Sequence, residues 1–116
     1  MADVSSIHIY PDQGEPGQEL DDVSVSDEGL NGDRRKGAPV HLVSVAAYVA
    51  EYPRANLVLD LETEELAALI GRRLRIGTVE LEVTGPAKNC PGVYAVVPVP
   101  GDLAVGDEVT VGIAGP

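Results

Sequence analysis

The chain has no phenylalanine and no tryptophan, and four tyrosines are all the aromatic residues it carries. A 116-residue core without those large rings must come from Val, Leu, Ile and Ala, and valine-rich, β-branched usage favours pleated strands. Cysteine occurs once, at Cys90, which excludes an intramolecular disulfide and a disulfide-stapled secreted scaffold. No apolar run approaches the ~20 residues of a membrane-spanning helix. The opening "MADVSSIHIYP" lacks the basic segment and long apolar stretch of a secretory signal. The expected setting is therefore a reducing cytoplasm, with no membrane partner.

Positive charge is scarce as well. Eight Lys and Arg face 19 Asp and Glu, a net of −11, and this balance excludes broad phosphate-backbone contact with DNA or RNA. The imbalance is uneven along the chain. Positions 1 to 33 hold nine carboxylates and no Lys or Arg, after which "RRK" at 34 to 36 reverses the sign. A small, local anion site survives the exclusion. Residues 1 to 116 are long enough to close one modest core and too short for two, so the chain is read as a single domain.

The strand signals are short and closely spaced. "VSSIHIYP" (4 to 11) alternates loosely and stops at Pro11; "DQGEPGQEL" follows as a Gly/Pro/acidic loop; "DDVSVSDEG" then sets Val23 and Val25 against polar neighbours. An antiparallel pair of the first and last of these is expected. "LNGDRRKGAP" is a turn-rich loop holding three cations. "VHLVSVAAYVAEYP" divides into a strand "VHLV" and a helix "SVAAYVAEY", with Ser44 as N-cap and Pro53 as the stop. "NLVLDL" (56 to 61) reads as a buried strand. "TEELAALIG" reads as a helix capped by Thr63, with Glu64 and Glu65 at its positive end, Leu66, Leu69 and Ile70 on one face and Gly71 ending it. In "RRLRIGTVELEVTG" apolar and charged residues alternate on both sides of Gly77, the pattern of a hairpin. "VYAVVPV" and "LAVGDEVTVGI" supply the last strands. Many short strands with two short helices predict a mainly β fold, a closed or nearly closed mixed β-barrel.

Cys90 sits in "TGPAKNCPGVYA" (84 to 95), where Pro86 and Pro91 exclude a helix or a central-strand ladder. The thiol is thus expected on a constrained loop at a strand end, with Lys88 near enough to favour thiolate, the nucleophilic and metal-binding form. Lone cysteines are also common as inert packing. His8 and His41 belong to no local Cys/His signature and read as ordinary core or surface histidines, and with one cysteine they are weak support for zinc. Arg34, Arg35 and Lys36 share one loop, and Arg54 precedes a strand. If these loops meet, they make a cradle for an anion, since guanidinium groups grip phosphate bidentately. "RRLR" (72 to 75) is read as solvated charge.

Several segments in order resemble a MOSC domain, named for the C-terminal part of molybdenum cofactor sulfurases: "GLNGDRR" (29 to 35), "RANLVLD" (54 to 60), "LIGRRLRIGTVELEVTGPAKNC" (69 to 90) and "VGDEV" (105 to 109). The resemblance spans roughly residues 20 to 111. It implies a mixed β-barrel whose cysteine carries sulfur as a persulfide or ligates molybdenum in a pterin, the molybdenum cofactor. Cys90 matches that cysteine, Arg34 the arginine of the Gly-Asp-Arg loop, and Arg54 and Asn56 the Arg-x-Asn of relatives that bind the cofactor's phosphate. Lys88 and Asn89 flank the site. Ala87 stands where several relatives have a second cysteine, and the chain is short between "GDRRKG" and "RANL", which implies an open or partner-completed pocket. The functions implied are a sulfur carrier or cofactor-binding protein served by a cysteine desulfurase or a molybdoenzyme partner. The alternatives are a partner-dependent molybdenum reductase of N-hydroxylated compounds and a non-catalytic barrel module.

Overall fold

The computed structural model describes residues 2–11, 17–33, 38–88 and 91–112. Among them the chain runs β1 (Val4–Ile9), β2 (Gln18–Leu20), β3 (Asp22–Ser26), β4 (Gly29–Leu30), β5 (Val40–Ser44), α1 (Val45–Glu51), β6 (Leu57–Leu59), α2 (Thr63–Ala67), β7 (Arg73–Ile76), β8 (Val79–Pro86), β9 (Val93–Val99), β10 (Gly101–Ala104) and β11 (Val109–Val111). Eight strands form one mixed sheet in the order β11-β7-β8-β9-β5-β6-β1-β2, and β10, β3 and β4 form a second. Only β5 and β6 pair in parallel among these, joined through α1.

The large sheet curls toward a barrel without closing its ladder. β2 and β11 end the strand order and do not pair with each other. A seam of single contacts bridges the gap: Asp3 faces Glu108 in an isolated bridge, Val4 N–H donates to Asp107 O at 3.0 Å, and Val109 N–H donates to Ala2 O at 2.8 Å. The "VGDEV" segment is thus the stitch between the two ends of the chain's described part.

Alternation decides which faces are buried. In β7 and β8, Leu74, Ile76, Val79, Leu81 and Val83 point inward while Arg73 lies 3.5 Å from Glu80 and 3.8 Å from Glu82 on the outside. The "RRLR" arginine at 73 is therefore an exposed cross-strand ion pair, of the kind worth at most about 1 kcal/mol. Ile76 pairs with Val79, so Gly77 and Thr78 make a two-residue turn, and Gly77 takes a φ of 60°, the left-handed backbone that such hairpins require. Leu42, Leu57, Leu59, Leu74, Ile76 and Leu81 are fully buried, each contributing roughly 1.5–3 kcal/mol relative to exposure. Val23, Val25, Leu30 and Leu103 of the small sheet join the same core.

Two expectations are corrected. Val23 and Val25 do not pair with β1: their strand pairs with β10 and β4, while β1 lies between β6 and Gln18–Leu20, the latter inside the stretch expected to be loop. The chain bends at Asp21, so adjacent strands go to different sheets. The second helix begins one residue earlier than expected, with Glu62 as N-cap, because the Glu65 carboxylate reaches back to accept the Glu62 N–H at 2.9 Å, one arm of a capping box. Ser44 caps α1 as expected, its hydroxyl accepting from Ala47 N–H.

Candidate functional site

Strand registers align five strands across the large sheet. Pro86 pairs with Val93, Val93 with Leu42, Leu42 with Leu57, and Leu57 with Ile7, a continuous row across β8, β9, β5, β6 and β1. Beyond that row the two sides differ: His41, Asn56 and His8 lie on one side, a rim that Arg54 and Tyr10 extend, whereas Ala87 and Gly92 continue β8 and β9 on the other side, toward Val43, Val58 and Ser6. The loop that carries Cys90 is pinched at its base, where Ala87 N–H donates to Gly92 O at 3.0 Å.

A relay of hydrogen bonds ties the rim together. Asn56 is wholly buried, and its Oδ1 accepts the His41 N–H at 3.0 Å while its Nδ2 donates to His8 O at 3.2 Å and to Asp33 Oδ2 at 3.0 Å. Asp33, the aspartate of "GLNGDRR", also accepts Tyr10 N–H on Oδ1 at 2.8 Å. At the other end His41, 4% exposed, lies with Nε2 2.7 Å from Pro91 O. A carbonyl only accepts, so His41 carries its proton on Nε2. Asp33, Asn56, His41 and Pro91 thus join the residue before Arg34, the "RAN" segment and the residue after Cys90. Among the described residues no buried side-chain polar atom lacks a partner, so this network is complete, which is the condition under which a buried polar network rigidifies a site.

Tyr10 and Arg54 form the second layer of the rim. The Tyr10 hydroxyl donates to Ala55 O at 3.2 Å, and the Arg54 guanidinium carbon lies 4.4 Å from the centre of the Tyr10 ring, a cation–π contact. Burial pushes the Tyr10 phenol up to about 12, with Tyr48 and Asp33 adding and Arg54 opposing. His8 is stacked on Tyr48 at 5.0 Å, and burial lowers its basicity against the opposing pull of Glu19.

These two groups bound a pH window. The raised Tyr10 makes stability full below its ordinary value of 10.0 and lost as pH rises through about 12. The lowered His8 makes stability full above its ordinary 6.5 and lost as pH falls below it. Urea midpoints measured across pH should therefore fall on both sides, with Tyr10→Phe flattening the alkaline limb and His8→Asn the acid one.

Of the residues expected at the site, the structure brings Arg54, exposed, and Asn56, buried, to this rim, while Lys88, exposed, follows β8 on the other side of the row. Cys90, Arg34 and Asn89 lie outside the described residues, as do Arg35 and Lys36. Sequence reading missed Asp33, Tyr10 and His41. Asp33 stood inside the quoted motif, and its value as a short acceptor next to the cations was the available signal. Beside the rim, a cleft of about 140 Å³ is lined by Ser26, Glu28, Gly29, Leu30, Asn31, Gly32 and Asp33. Among the described residues no cluster of His, Cys, Asp or Glu is arranged to hold a metal ion.

No family model matches the sequence, and no curated protein matches it. Solved structures do. The YuaD protein of Bacillus subtilis superposes with a TM-score of 0.78 at 16% identity, covering 95% of this chain and 94% of that one. YiiM of Geobacillus stearothermophilus gives 0.72 at 14% identity, over 97% of this chain and 76% of that one. The chain has a MOSC-like fold. YiiM of Escherichia coli matches with a TM-score of 0.68 and 16% identity, over 97% of this chain and 68% of that one, so this MOSC-like chain is shorter than either YiiM. At these identities the likeness speaks for the fold alone.

Proposed function

We propose that this MOSC-like chain is a sulfur carrier in which Cys90, between β8 and β9, accepts and passes on a sulfane sulfur. The observation that carries the reading is the relay from Asp33 through Asn56 and His41 to Pro91. It anchors the neighbours of Arg34 and Cys90 to the segment bearing Arg54, as a thiol-and-anion site needs. The Cys90 thiolate attacks the outer sulfur of a donor persulfide; a new S–S bond forms on Cys90, the donor's S–S bond breaks, and the donor leaves as a thiolate. The acceptor then attacks that outer sulfur and releases the Cys90 thiolate, so no external oxidant is required. Lys88, two residues before Cys90, favours thiolate, and Arg54 with Arg34 holds an anionic acceptor. In this reading Asn56 holds the rim in register.

The donor chemistry of the rim also fits the anionic part of a molybdenum cofactor. Arg54, an exposed residue, places its guanidinium over the Tyr10 ring. With Arg34 it would grip the pterin phosphate, with Lys88 and Asn89 flanking and Cys90 as a thiolate ligand, and the metal would supply oxygen-atom-transfer redox chemistry. One experiment tests both forms: intact-mass analysis of the chain after treatment with a persulfide-charged cysteine desulfurase or a low-molecular-weight persulfide, with metal analysis after molybdate-replete expression. A mass gain of one sulfur, lost in Cys90→Ser, is expected. No sulfur on Cys90 and no bound molybdenum would sink the proposal.

A further inference from the structure

We infer that the outer face of α1, continued by Tyr52, is a docking surface for a protein partner whose apolar contact residues are framed by Lys and Arg. α1 reads "VAAYVAE", apolar except at its last residue, and a helix apolar on nearly all sides normally lies buried. Here none of its residues is buried. Val45 and Tyr48 rest on Val43, Ala55 and Val58 of the sheet, which leaves Ala46, Val49 and Ala50 facing outward. Val49 is 59% exposed, and Tyr52 is 72% exposed. Tyr52 is also the one non-glycine residue with a positive φ, 47°, among the described residues. That backbone costs of order 1 kcal/mol or more, and it sets the Tyr52 ring against Tyr48 at 5.7 Å without burying it. The fold thus presents an aromatic and an aliphatic side chain to solvent on a strained, specified backbone.

The rim of this patch identifies the occupant by charge. Glu51 closes the helix itself. Ser44, the N-cap, lies 2.7 Å from Thr63 through their hydroxyls, which places the exposed Glu62, Glu64 and Glu65 of the α2 turn beside the start of α1. On the other flank Tyr48 stacks on His8, whose register partner is Glu19. Carboxylates therefore frame the patch on both flanks, within a chain of net charge −11. A second copy docking face to face would set these same carboxylates against each other, whereas a basic-rimmed partner meets them with complementary charge. At its start the helix adjoins Gly92, since Ser44, Ala47 and Gly92 line one small cleft, so the partner would sit beside the residues that follow Cys90. Naming that partner as the persulfide donor rests on the sulfur-carrier reading.

The test uses a purified cysteine desulfurase as probe and the Cys90→Ser chain, so that binding is read without sulfur transfer. Fluorescence anisotropy should show binding that weakens as salt is raised. Val49→Asp with Tyr52→Ser, both at exposed positions, should weaken it by about tenfold, the loss typical of central interface residues. Glu51→Lys should weaken it further and flatten the salt dependence. No binding, binding indifferent to these substitutions, or a homodimer of the unaltered chain that the same substitutions split would each overturn the inference. Loading of the unaltered chain by a low-molecular-weight persulfide is the separate readout: its failure sinks the sulfur-carrier reading and leaves the binding result standing.

Discussion

Gly92→Ala is expected to cost about 3 kcal/mol or more and to release the Cys90 loop from the sheet. Gly92 holds a φ of 98°, and a Cβ there would run into Leu42 O, the Val43 Cγ1 methyl and His41 Nε2. Two separate penalties add: roughly 1–2 kcal/mol for a left-handed L-residue and roughly 1–3 kcal/mol for overpacking. Leu42 O is backbone in the middle of a five-strand row, so it cannot yield; the loop must. Gly106→Ala is the matched control, since Gly106 has a φ of 91° with nothing within 4 Å of the added Cβ, and only the conformational term applies. Urea denaturation should separate the two variants by about 1–3 kcal/mol. The modification rate of Cys90 by a thiol reagent should change in Gly92→Ala and stay as it was in Gly106→Ala. Equal behaviour of the two variants would show that the loop is not seated on β5.

The difference between those glycines marks the limit of what sequence could tell. In "TGPAKNCPGVYA" the expectation that Pro86 bars a strand ladder does not hold, since Pro86 closes β8 paired with Val93, where β9 begins; Cys90 itself lies outside the described residues. That the far glycine of this stretch touches β5 depends on a register between segments some fifty residues apart, as does the bond from His41 to Pro91. Period-two alternation made β3, β7 and β8 legible as strands with one apolar face. It could not say that β3 joins β10 rather than β1, since alternation specifies a strand's faces and leaves its partner open. Gln18–Leu20 was hidden for a local reason: three residues behind a Gly/Pro/acidic stretch carry too little pattern to outweigh their neighbours. The buried Asn56 and its partners, which hold the rim in register, left no sequence signal beyond one polar residue opening an apolar strand.

Asn56→Ala should cost roughly 2–5 kcal/mol, because it leaves the His41 amide and the His8 carbonyl without the bonds Asn56 makes to them, at about 1–3 kcal/mol for each buried group left unpaired, and removes one donor from Asp33, which keeps the Tyr10 N–H. Water that enters the vacated space would relieve part of this. Asn56→Asp separates the donor from the acceptor role. It keeps an oxygen for the His41 N–H, but the group that donates to Asp33 at 3.0 Å becomes a second carboxylate. Two carboxylates in that contact are compatible only when they hold a proton between them. The folded variant then binds that proton more tightly than the unfolded chain, whose aspartates titrate near 3.9, so its stability rises as pH falls toward about 4 and is lost as pH climbs to neutrality. The unaltered chain behaves in the opposite sense below pH 6.5, where His8 resists protonation in the fold. Urea midpoints for the two proteins should therefore converge on acidification, and persulfide loading of Cys90 in the variant should recover along the same curve if the relay is what seats the loop. Parallel pH profiles, or full loading in Asn56→Ala at neutral pH, would assign the seating of the Cys90 loop to the β5–β9 ladder alone.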